Sequence, residues 1–68
     1  MMTPEETRVL RHLRSRMMSS VEEITRACLP EGSLEEASRI LWNLEWLGYI
    51  VRFGPNTVQL TMKGASTS

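Results

Sequence analysis

A chain of 68 residues, 41% hydrophobic and 24% charged, has the composition of one folded domain and not of a disordered segment. Eight basic residues balance eight acidic ones, so no net field draws the chain towards nucleic acid or an anionic membrane. One cysteine excludes an internal disulfide, one histidine beside it is too few for a metal cluster, and no apolar run approaches the ~18–20 residues that cross a bilayer.

A domain this small buries roughly 60% of its unfolded surface, so a net stability of only a few kcal/mol is expected. The unpaired cysteine fits a reducing cytoplasm, the expected location. Met1 to Arg16 does not resemble a secretory signal, because its charges run through the middle.

In chain order, Thr3-Pro4-Glu5-Glu6 opens a first helix over residues 4–16, with threonine as N-cap, proline at the first position and glutamate at the third. Val9, Leu10, Leu13 and Met17 mark its apolar face; Arg8, Arg11, His12 and Ser15 lie opposite, with Arg14 at the edge. Met17-Met18-Ser19 reads as a connector or a single extended pairing segment. Ser20-Val21-Glu22-Glu23 caps a second helix over 20–29, with Val21, Ile24, Ala27 and Cys28 inward and Pro30 as its stop. Pro30-Glu31-Gly32 is a tight turn.

Ser33 to Gly48 is the clearest helix. Leu34, Ala37, Ile40, Leu41, Leu44 and Leu47 recur at helical spacing; Ser33 with Glu36 forms a capping box, and Gly48 ends it. Its opposite face carries Glu35, Arg39, Trp42 and Trp46. The same cap pattern thus occurs three times, and the Glu5-Glu6, Glu22-Glu23 and Glu35-Glu36 pairs hold most of the acidic residues. Their cause is structural, since negative charge is favoured at a helix N-terminus. Adjacent carboxylates on a helix point in different directions and make poor catalytic pairs.

After Gly48 the period becomes two. Tyr49 to Phe53 and Thr57 to Met62 are strands of a β-hairpin, with Gly54-Pro55-Asn56 as its turn. Lys63 to Ser68 is small and polar and is expected to fray, the domain closing at residue 64 and residues 65–68 forming a disordered tail.

Three helices followed by a hairpin, with a short turn between the second and third, define an α+β winged helix-turn-helix. The run Ala37-Ser38-Arg39-Ile40-Leu41-Trp42-Asn43-Leu44-Glu45-Trp46-Leu47-Gly48-Tyr49-Ile50 resembles the third helix and first wing strand of MarR-like transcription regulators. Leu60-Thr61-Met62-Lys63-Gly64 is similar to the segment that closes their wing, and Val21-Glu22-Glu23-Ile24 to the opening of their second helix. The resemblance spans nearly the whole chain. It implies a small regulator that lays its third helix in the major groove of double-stranded DNA. On the matching positions, Glu35, Ser38, Arg39 and Trp42 face base edges, with Asn43 at the margin; Arg52, Asn56, Arg8 and Arg11 reach phosphates.

Residue chemistry points elsewhere. The third helix carries two tryptophans and Glu35, Glu36 and Glu45 where such regulators carry basic or small polar groups, and carboxylates facing phosphate are repelled. Tryptophan is enriched at interface hot spots, so Trp42 and Trp46 mark an alternative: a protein-interaction module, its partner a second copy or another protein. Each residue also has a plainer role: the first helix's arginines as a solvated face, Arg39 in a local pair with Glu35 or Glu36, Cys28 as core packing, and Trp46 laid against the hairpin or tail. The glycines lack nucleotide-binding spacing and no nucleophile has a base beside it, so neither cofactor, metal nor enzyme activity is expected. The resemblance puts DNA binding first; the tryptophan face puts protein docking second.

Overall fold

The computed structural model describes residues 2–29, 32 and 34–66. Helix α1 spans Pro4–Arg16 and begins with a complete capping box: Thr3 accepts from the Glu6 amide, and Glu6 accepts from the Thr3 amide. It ends at Met17, whose φ of +69° turns the chain into strand β1, Met18–Ser20. The connector is therefore the extended pairing segment the sequence allowed. Met17 does not extend the apolar face; as C-cap its side chain points out to solvent.

Ser20 ends β1 and caps helix α2, Val21–Cys28, by accepting from the Glu23 amide. Val21, Ile24 and Cys28 are buried as expected, whereas Ala27 is exposed, one position round the helix from the inward stripe. The capping role assigned to Ser33, and the turn residues Pro30 and Glu31, lie outside the described residues. Helix α3, Leu34–Trp46, buries Ala37, Ile40, Leu41 and Leu44. Leu34 and Leu47 flank that stripe at the two ends and are exposed.

Gly48 stops α3 with φ +86°, where a side chain would be strained. The Tyr49 amide reaches back to the Leu44 carbonyl and the Gly48 amide to that of Glu45, a Schellman closure. Strands β2, Ile50–Phe53, and β3, Thr57–Leu60, follow around the expected turn. The antiparallel sheet has the order β1-β3-β2, with Ser19 opposite Val58 and Arg52 opposite Val58 on its other side. This is a winged-helix-like α+β arrangement. The core runs through Leu13, Ile24, Leu41, Leu44, Ile50 and Val58, to which every helix from α1 to α3 contributes.

The end of the chain differs from expectation. β3 stops at Leu60, and Met62–Ser66 forms a short helix, α4, in place of a continuing strand and a tail that frays from Lys63. Thr61 redirects the backbone: its hydroxyl donates to the Gly48 carbonyl and accepts from the Gly64 amide. Gly64 is buried so tightly against Tyr49 that a Cβ there would collide with the Tyr49 carbonyl oxygen. The Leu-Thr-x-x-Gly segment is thus a clasp that fixes α4 over the end of α3. Thr67 and Ser68 lie outside the described residues.

Candidate interaction face on the third helix

With four of its residues buried in the core, α3 must show its other side to solvent, and helical spacing puts Glu35, Arg39, Trp42 and Trp46 there. The two indoles stack on each other with ring centroids 6.1 Å apart and planes within 6°. Trp42 is 62% exposed and Trp46 76%. The reading of Trp46 as packed against the hairpin or tail is therefore wrong. The Schellman turn carries the chain off the end of α3, and Lys63 on α4 then reaches the Leu47 carbonyl and lies over the Tyr49 ring. Among the described residues, α4 meets the tip of α3 through Lys63 and leaves its outer side open.

Ser38 and Arg39 are exposed on the first half of the helix. Among the described residues Arg39 forms no ion pair, so its expected local pairing with Glu35 or Glu36 is not made. Asn43 is different. Its Nδ2 donates to Glu6 Oε2 of α1 at 2.5 Å, which turns the amide into the domain and away from a partner in solvent. Beside it, an open cleft of about 420 Å³ separates the start of α1 from α3, lined by Thr3, Glu5, Glu6, Glu36, Arg39 and Trp42 among others. Three carboxylates facing one guanidinium give this cleft an acidic character.

The other candidate residues sit on separate elements. Arg8 and Arg11 are exposed on α1; the Arg8 carbonyl accepts from the buried Cys28 thiol at 3.6 Å. Burial raises the Cys28 pKa above its ordinary value, which keeps the thiol protonated and inert, as a packing role requires. Arg52 is half-buried on β2 and Asn56 exposed in the wing turn, where its carbonyl accepts from the Val21 amide at 2.8 Å. That bond ties the wing to the start of α2.

Two features escaped the sequence. Ser19 is buried, and its hydroxyl donates to Glu23 at 2.7 Å while it contacts His12 Nε2 at 3.2 Å. A hydroxyl has one proton, so His12 must be the donor in that pair, which places its proton on Nε2. Arg16 adds an ion pair to Glu23 at 2.7 Å, and the carboxyl pKa is lowered chiefly by the Ser19 hydrogen bond and then by Arg16. The second feature is the outer side of the sheet, where Met18, Val51 and Phe53 share one exposed apolar face. Alternation along Ile50 to Phe53 held that signal; the pairing of β1 did not follow from it.

No protein-family model and no curated protein matches this chain. Among the described residues no three histidine, cysteine or acidic side chains come together to hold a metal ion, and no helix is long and apolar enough to cross a membrane.

Proposed function

We propose that this chain is a winged-helix protein-interaction module that docks through the outward face of α3. The observation that carries this reading is the Trp42–Trp46 stack, two parallel indoles held on a rigid helix and exposed to water. Solvent-exposed aromatic pairs are costly to leave bare, and tryptophan supplies much of the energy at protein interfaces. The surroundings favour a protein over a polyanion. Glu35, Glu36 and Glu45 outnumber Arg39 on the same helix, and the chain has no net charge.

The second reading is the DNA-binding regulator implied by the MarR-like resemblance. What favours it is the exposure of Ser38 and Arg39 at the positions that match base-reading residues, with Arg52 and Asn56 on the wing. The hydrogen bond from Asn43 to Glu6 weighs against Asn43 as a member of that set. A duplex-DNA titration over a range of salt concentrations separates the two. A docking module gives no saturable binding, or weak binding without a salt slope; a regulator gives binding that falls steeply with salt and weakens when Arg39 is replaced.

A further inference from the structure

We infer that the partner on this face is a second copy of the chain, paired antiparallel along α3; the inference rests on reading α3 as a protein-docking face. The exposed positions Glu35, Arg39, Trp42 and Trp46 are separated by four, three and four residues. That spacing reads the same in both directions. A two-fold axis crossing the row between Arg39 and Trp42 therefore maps it onto itself, the self-complementarity an isologous interface demands. Trp42 then meets Arg39 of the second copy, and Trp46 meets Glu35.

Each of these meetings is chemically favourable. A guanidinium over an indole face is attracted by the ring quadrupole, and tryptophan is the best aromatic for it. Arg39 is exposed and forms no ion pair among the described residues, so no internal ion pair must break first. Glu35 offers a carboxylate acceptor to an indole N–H, which can only donate. Parallel pairing would set Arg39 on Arg39 and Glu35 on Glu35, like charge on like. A chain with no net charge does not repel its own copy.

The size of the patch decides the strength. A covered aromatic removes roughly 150–250 Å² from water, so four indoles with their charged neighbours approach the lower limit of about 1,200 Å² for a specific interface. The dimer is consequently reversible and concentration-dependent.

Sedimentation equilibrium and tryptophan emission, followed from micromolar to near-millimolar chain, test this. The mass should rise from monomer towards dimer while the emission shifts to shorter wavelength in step. Trp42→Ala should weaken the dimer at least tenfold with an unchanged far-ultraviolet spectrum. Arg39→Gln should weaken it several-fold, because it removes a cation from an indole; in a parallel pair the same change would relieve repulsion and tighten it. A chain that stays monomeric throughout overturns self-pairing alone. A dimer indifferent to Trp42→Ala overturns it too, and moves the contact to another surface such as the Met18, Val51 and Phe53 face. An Arg39→Gln dimer tighter than the parent overturns the antiparallel register. Salt-steep DNA binding that quenches both indoles overturns the docking reading itself.

Discussion

Asn43 on α3 donates a hydrogen bond to Glu6 on α1, across 37 positions of sequence. Glu6 is the carboxylate of the first capping box and is buried to 6% exposure, so one side chain both starts α1 and fastens α3 to it. Its two oxygens are divided, Oε1 to the Thr3 amide and Oε2 to Asn43.

Glu6→Ala should therefore cost about 1–3 kcal/mol, from the lost cap and from a half-buried amide left without its acceptor. Asn43→Ala should cost a comparable amount by leaving the buried carboxylate with one partner fewer. Because the two share one bond, the double variant should be less destabilised than the two singles together, with a coupling of about 0.5–3 kcal/mol. Urea unfolding of the four proteins measures it. Additive effects would mean that the bond contributes nothing in solution.

Gly64→Ala is expected to dislodge α4. An added Cβ would overlap the Tyr49 carbonyl oxygen and lie 2.7 Å from Leu60 Cδ1, and backbone cannot yield as a side-chain tip can. Overpacking of this kind typically costs about 1–3 kcal/mol. The contact of Lys63 with the Leu47 carbonyl should go with it. Amide exchange in residues 62–66 should rise well before the core of α3 is affected; unchanged protection there would refute the clasp.

How much of this was legible depends on how local each cause is. Thr3 and Ser20 cap their helices, and Gly48 closes α3, through bonds spanning only a few residues, so helix bounds could be read nearly to the residue. The exposed α3 face followed from spacing in the same way. α4 did not, because the alternation from Thr57 carries on through Met62, and only the contacts of Thr61 with Gly48 and of Gly64 with Tyr49 break it. The Glu6–Asn43 bond joins positions 37 apart, and nothing local encodes it; the Ser19 network spans only four to seven residues but forms because the turn at Met17 brings α1, β1 and α2 together. Only the plainer reading, which laid Trp46 against the hairpin or tail, failed, because the course of the chain after Leu60 is set by α4.

Glu23 makes the stability of the α1–β1–α2 junction depend on pH. Its pKa in the folded chain is lowered from 4.5, first by the Ser19 hydroxyl and then by Arg16. The folded state thus binds the proton more weakly than the unfolded one, and stability rises with pH across the interval. The contribution is complete above the ordinary value and is lost as pH falls through the depressed one. A carboxyl-carbon chemical-shift titration should put the Glu23 midpoint below 4.5. Ser19→Ala should move that midpoint up by more than Arg16→Ala does; the reverse order would make the ion pair the dominant cause.

The tryptophans give the sharpest contrast between a surface and a core on one helix. Trp42 and Trp46 stack on each other but are 62% and 76% exposed, while Leu44, between them in sequence, is fully buried. Stacking of an exposed pair contributes little to folding beyond the rings themselves, so Trp42→Ala and Trp46→Ala should each leave stability within about 0.5 kcal/mol of the parent. In a domain of this size that is a shift of only a few degrees in the melting temperature. Leu44→Ala instead removes a core side chain, at about 2–5 kcal/mol, comparable with the whole stability of so small a chain. Thermal melts at a concentration where the protein is monomeric make the comparison free of any association. A Trp46→Ala chain that melts like Leu44→Ala would place the ring in the fold and remove it from the proposed docking face.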